Sequence, residues 1–237
     1  MARLTCGMLV SIVIPCFQNK DQLNNTIERI LNSTKGISNY NFEVILIDDG
    51  STDETWKIIE KLSAQSQIVS GIRLKENVGA YNAILTGFEK ANGEAILIMA
   101  ADGDDPPELI PDLMNLHSSE TDAVLAVRES SEKGLGSVLA SSIFHSALKL
   151  TGAKNIFSGG SDFMLVSKEV IERCQAAGWK SGNTLVQLVQ HVKRVQTVEY
   201  TKGRSKPSTW SFSKKLKLFL ETVNQFVPIP GINSKPR

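Results

Sequence analysis

Apolar residues in the first hundred positions come in short runs separated by stretches with helical spacing. Leu9–Ile14 and Phe42–Ile47 are continuous apolar runs, the pattern of strands buried on both faces. Val69–Leu74 and Ala95–Met99 read as a third and a fourth strand. Between them, Asp21 to about Leu31 places Leu23, Ile27, Ile30 and Leu31 on one helical face. Ser51 or Thr52 is expected to cap a helix running to about Leu62, with Asp53 and Glu54 in its first turn. Gly79 to Ala91 reads as a further helix, ended near Gly93. Strand and helix alternating with short connections imply an α/β fold with a doubly wound, mostly parallel sheet. Ligands then bind at the carboxyl ends of the strands.

The pattern loosens after Asp105. Pro106 and Pro107 start a helix toward His117, Ala123–Val127 is a strand, and Arg128–Gly136 is a polar loop. Ser137–Leu150 reads as a helix, Phe163–Val166 as a short strand, and Lys168 to about Gln175 as a helix. Val195–Tyr200 is a last strand, Thr201–Ser211 a basic loop, and Phe212–Phe226 an amphipathic helix. The spacing predicts one domain over 1–237. Within it, 1–105 is the regularly alternating half, 106–211 the looser half and 212–227 the terminal helix.

Composition narrows the function. At 237 residues and 41% hydrophobic, the chain suits one large soluble α/β domain. A net charge of +1 gives no overall field for nucleic acid, and none is expected as a partner. Cys6, Cys16 and Cys174, without a CxxC pair, argue against a disulfide framework or a zinc site, so a cytoplasmic setting is expected. No apolar run approaches the roughly 18 residues of a spanning helix. The short run up to Pro15 reads as a first strand rather than a leader.

Chemistry gathers at the strand ends. The first ends Pro15-Cys16-Phe17-Gln18-Asn19, the second Asp48-Asp49-Gly50-Ser51, the third leads to Asn77-Val78-Gly79, and the fourth to Asp102-Gly103-Asp104-Asp105. Two acidic clusters at one edge repel unless a cation or donor groups lie between them. A nucleotide sugar with Mg2+ or Mn2+ supplies both. Alone, Asp48-Asp49-Gly50-Ser51 would be only a turn with a cap; the second cluster shifts the balance. No GxGxxG follows the first strand and no GxxxxGK[ST] occurs, which removes the dinucleotide and P-loop alternatives. His117, His145 and His191 are isolated, and Cys16 has no histidine nearby in sequence. A nucleotidyltransferase would show a glycine-rich basic loop after its first strand, and Pro15 to Asp21 shows neither feature.

The segments IVIPCFQN, EVILIDDGSTDET, RLKENVGA and ILIMAADGDDPPELI, in this order, resemble family 2 glycosyltransferases of the GT-A fold. AADGDDPPELI is similar to the DADLQDPPE-type segment of polyprenyl-phosphate and dolichyl-phosphate sugar transferases. GGSDFMLVSKEVIE and SKPSTWSFSKKLKLF resemble later segments of that group more loosely. The resemblance implies an inverting hexosyltransferase that takes a sugar from a nucleotide-diphosphosugar. Pro15, Phe17, Asn19, Asp48, Asp49, Asn77 and Gly79 would border the nucleotide. Asp102 falls on the second aspartate of the DxD motif and would bind the metal. The first aspartate of that motif is Ala100 here, and Asp104 rebuilds the pair one step downstream. In an extended loop, Asp102 and Asp104 would both reach one ion.

Acceptor chemistry follows from charge. A glycan hydroxyl needs a carboxylate base, and Asp162 is the candidate read from the family-like part of the second half. A lipid phosphate needs cations instead. Lys202, Arg204, Lys206, Lys214, Lys215 and Lys217 form a basic stretch leading into the helix from Phe212. Arg128, Arg204 and Lys206 are the expected holders of a polyprenyl phosphate. A basic stretch before an amphipathic helix suits peripheral contact at the cytoplasmic face of a membrane. The competing expectations are a glycan acceptor in cell-surface polysaccharide synthesis and a non-catalytic nucleotide-sugar-binding relative, the latter motivated by Ala100.

Overall fold

The computed structural model describes residues 7–128, 162–179 and 184–200. They form one seven-stranded sheet. The elements are β1 Met8–Cys16, α1 Leu23–Thr34, β2 Tyr40–Asp48, α2 Thr55–Gln65, β3 Val69–Arg73, α3 Ala80–Lys90 and β4 Ala95–Ile98. A 3-10 turn Pro107–Leu109 follows, then α4 Ile110–Leu116, β5 Ala123–Arg128, β6 Met164–Ser167, α5 Lys168–Ala177, α6 Thr184–His191 and β7 Val195–Tyr200. The strand order is β3-β2-β1-β4-β6-β5-β7. Strands β1 to β4 are mutually parallel, as are β5 and β7. Only β6 runs against its neighbours, pairing Ile98 with Met164 and Leu125 with Met164. The expected α/β class and mostly parallel, doubly wound sheet are therefore observed.

Residue alternation builds the two layers. Val10, Ile12 and Ile14 of β1, with Val44 and Leu46 of β2, face one cluster that includes Leu23, Ile27 and Ile30 of α1 and Ile59 of α2. Val13, Ile45 and Ile47 face the other, with Ala83, Ile84 and Phe88 of α3 and Leu188 of α6. Each of the Val, Leu, Ile and Phe side chains among them contributes roughly 1.5–3 kcal/mol by leaving water. That is why both faces of β1 and β2 must be apolar.

Several local expectations are corrected. The helix after β2 begins at Thr55, so Asp53 and Glu54 precede it rather than occupy its first turn, and neither Ser51 nor Thr52 caps it. Asp53 instead accepts from the Thr55 amide at 2.9 Å, and Ser51 and Thr52 are drawn to the loop after β1. The helix expected from Pro106 is split into the 3-10 turn and α4, with Pro107 in the first turn of the former. Helix α6 carried no sequence expectation. The helices expected over 137–150 and 212–226, and Arg204 and Lys206 in the basic loop, lie outside the described residues.

Candidate functional site

The four parallel strands deliver their carboxyl ends to one rim. After β1, Gln18 takes a left-handed φ of 57°. Its amide donates to Ser51 Oγ at 3.1 Å, and its side-chain amide to Thr52 Oγ1 at 2.7 Å. The Asn19 amide donates to Thr55 Oγ1 at 2.9 Å, and Asn19 Oδ1 accepts from the Phe17 amide at 2.7 Å. The β1 and β2 loops are thus sewn together by hydroxyls, leaving Phe17 46% exposed at the rim. Pro15 lies within β1, opposite Ile47 of β2.

Asp48 and Asp49 are both buried, and each is used differently. Asp48 Oδ1 accepts from the Ser51 amide at 3.1 Å. Its Oδ2 accepts no hydrogen bond among the described residues and lies 3.4 Å from Arg73 Nε. The Arg73 guanidinium rests 5.7 Å from the centroid of the Trp56 ring. Asp49 accepts from the Val78 and Gly79 amides, at 2.7 and 2.9 Å. It therefore ties the β2 end to the start of α3. Burial lifts the Asp49 carboxyl above its ordinary range, the two amides oppose that, and the charge of Asp48 adds to it. Gly50 makes the approach possible. Its φ is 68°, and a Cβ there would sit 2.6 Å from the backbone carbonyl carbon of Glu76. Asn77 is exposed beside it.

The Asp102 segment is a tight turn, not the extended loop expected. Gly103 has φ 77°, and Asp102 Oδ1 accepts from the Asp104 amide at 2.9 Å. With the backbone reversed there, the period-two argument for pairing Asp102 and Asp104 loses its basis. Asp102 is exposed and Asp104 half-buried. Asp105 points inward instead, accepting from the Ala100 amide at 2.8 Å. Among the described residues, no group of three or more His, Cys, Asp or Glu forms a ready-made metal cage. The donor set still fits a divalent ion that draws most of its oxygens from a diphosphate. One Asp102 oxygen is committed to the turn, and a second remains for a hard cation.

The second half contributes to the same rim because β6 is reversed. Asp162 precedes β6, whose first residue Met164 pairs with Ile98, the last of β4. Arg128 ends β5. Both therefore lie at the edge carrying the Asp102 turn. Tyr81, which carried no sequence expectation, belongs here as well. Thr184 Oγ1 donates to its carbonyl at 3.2 Å, and burial, then the charge of Asp162, push its phenol upward. Cys16 is buried, and burial followed by the Asp48 charge raises its thiol far above the range of a nucleophile.

Residues 11–175 match the family described as Glycosyl transferase family 2. The chain belongs to that family. This family 2 glycosyltransferase is 26% identical over 226 residues to an undecaprenyl-phosphate 4-deoxy-4-formamido-L-arabinose transferase of Pectobacterium atrosepticum, covering 93% of this chain and 68% of that protein. It is 28% identical over 235 residues to a bactoprenol glucosyl transferase of Shigella phage SfV, covering 94% and 73%. Among solved structures it resembles a mannosyltransferase from Pyrobaculum calidifontis in complex with GDP-Man and Mn2+. That match has a TM-score of 0.61 and 17% identity, and covers 86% of this chain and 59% of the other. It also resembles the glucosyl-3-phosphoglycerate synthase of Mycobacterium tuberculosis, with a TM-score of 0.69 and 13% identity over 95% and 83% of the two chains. These structural likenesses carry the GT-A glycosyltransferase fold.

Proposed function

We propose that this glycosyltransferase moves a sugar from a nucleoside-diphosphate sugar to a polyprenyl phosphate, with inversion at the anomeric carbon. The observation that carries the reading is the shared rim. Asp48, Asp49 and the Asp102 turn stand on the same sheet edge as Arg128 and Asp162. The names of the two bacterial and phage relatives support a lipid-phosphate acceptor in kind.

In this reading the nucleotide lies over the β1 and β3 ends. Phe17 offers an exposed ring to the base, with Pro15, Asn19, Asn77 and Gly79 around it. Asp49 is read as the group that meets base or ribose, with Asp48 supporting it and the loop. Mg2+ or Mn2+ on Asp102, with Asp104 as a further oxygen donor, would stabilise the departing nucleoside diphosphate. A phosphate monoester is already anionic at neutral pH, so the acceptor needs orientation rather than deprotonation. Arg128 is read as one holder of that phosphate, with Arg204 and Lys206 as others. The acceptor oxygen bonds to the anomeric carbon as the bond to the diphosphate oxygen breaks, with no covalent enzyme intermediate. The basic stretch and the segment from Phe212 would keep the chain at the cytoplasmic membrane face. No helix among the described residues is long and apolar enough to cross a membrane.

A glycan hydroxyl acceptor is the second reading. It is favoured by Asp162 on the same rim, where a carboxylate could serve as base. Radiolabelled nucleotide sugars offered with undecaprenyl phosphate, dolichyl phosphate or simple glycans separate the two. Label is expected in the lipid phosphate. Transfer to a glycan alone would overturn the acceptor and leave the family standing.

A further inference from the structure

We infer that α1 is the template on which the Asp102 turn is set, with Thr26 and Arg29 as positioning residues for the carboxylate of Asp102. This rests on the reading of Asp102 as the cation-facing group. Thr26 and Arg29 are three apart on α1 and so share one face. Leu23, Ile27 and Ile30 are fully buried and anchor one face of the helix in the core, so it is a fixed support. Thr26 is itself fully buried, and its hydroxyl donates to the Ala101 carbonyl at 3.1 Å. A Cβ at Gly103 would lie 3.4 Å from Thr26 Oγ1 and 3.6 Å from Arg29 Nη1. The residues on either side of Asp102 thus rest on the same turn of α1.

Arg29 then reaches past the turn. Its Nε and Nη2 donate to the two oxygens of Glu108, at 2.8 and 2.7 Å. This bidentate pair fixes direction as well as distance. It ties the 3-10 segment that follows the aspartates to the helix that carries Thr26. The side chains of Arg29 and Glu108 are 31% and 58% exposed. A pair so exposed contributes little to global stability. Its geometric effect falls on where the turn sits. Ala100 sharpens the need. With no carboxylate there, more of the ion's orientation depends on Asp102, and a template compensates for the thinner ligand set. The signal was latent in the sequence as Thr26, Arg29 and Glu108, but 79 positions separate the last two.

The test is an Mn2+ titration of the full chain in the presence of UDP or GDP. Free aqueous Mn2+ is read by electron paramagnetic resonance, and thermal melting is followed in parallel. Arg29→Ala and Glu108→Ala are each expected to weaken Mn2+ binding about tenfold, the scale on which groups behind metal ligands act. The melting temperature should barely move. Lys57→Ala, which removes the exposed Lys57–Glu54 pair elsewhere, should leave Mn2+ binding unchanged. Wild-type Mn2+ affinity in Arg29→Ala, alongside its loss in Asp102→Asn, would overturn the template while sparing the ligand. Unchanged Mn2+ binding in Asp102→Asn, or none in the wild type, would remove the ligand reading and the template with it.

Discussion

Asp49 and Asp102 stand on one rim, yet they are held so differently that substitution separates them. Asp49 is buried with both oxygens on backbone amides, whereas Asp102 is exposed and spends one oxygen on its own turn. Asp49→Ala strands two amides and frees the segment that begins α3. It is expected to weaken nucleotide binding by about 1.5–3 kcal/mol, the range for hydrogen bonds to a charged group, and to lower the melting temperature as well. Asp102→Asn should remove most metal-dependent nucleotide binding, measured with and without chelator, at unchanged melting temperature. Asp104→Ala tests the second carboxylate. Its amide closes the turn and survives the change, and a fall in metal affinity at unchanged melting temperature is the outcome expected of a ligand. Sequence could name these aspartates because each follows a buried strand. It could not sort them, since which atoms a carboxylate meets is decided by backbone from another loop.

At the scale of elements, the β2 loop shows why local rules misassigned Ser51 and Thr52. Both fit a helix start by residue type, but tertiary contacts recruited them to hold Gln18 more than thirty positions away. The helix is left without a side-chain cap, and Asp53 accepts from the Thr55 amide at its start. Helix α6 escaped notice because TLVQLVQH is short, and Gln187 sits buried among its apolar residues. The long apolar strands were legible because burial on both faces leaves little choice of residue. Gly50 marks the tightest point of the loop. Gly50→Ala combines a left-handed φ of 68° with a Cβ 2.6 Å from the Glu76 backbone. The conformational part alone costs about 1–2 kcal/mol for a non-glycine residue. Retraction of the 76–79 segment should then lower nucleotide affinity by more than the loss of stability, which calorimetry and thermal melting can compare.

For the molecule as a whole, the far side of the sheet from β1 is fastened by Asp122. Burial alone would raise this carboxyl, but the Lys193 and Arg194 amides, at 2.7 and 3.2 Å, and the nearby Arg173 hold it below its ordinary value of 3.8. A depressed acid stabilises the fold above its unfolded pKa, and that contribution is lost as pH falls through the folded value. Asp122→Ala should therefore cost roughly 2 kcal/mol at neutral pH, as for charged hydrogen bonds. The gap to wild type should close below pH 3.8, which urea denaturation across that range would show. Neither this fastening nor the direction of β6 could be read from sequence. A strand's apolar pattern is the same whichever way it runs, and only pairing partners fix the sense.

That direction bears on how such proteins diverge. Because β6 opposes its neighbours, β5 ends at Arg128 and β6 begins at Met164 on the same edge of the sheet. If the sugar is transferred at that edge, as proposed, whatever descent inserts, trims or rewrites within 129–161 starts and finishes beside it, while β1 through β4 keep their pairings. On that reading, recipients of the sugar could be changed by editing that stretch, while the half proposed to hold the donor is inherited whole.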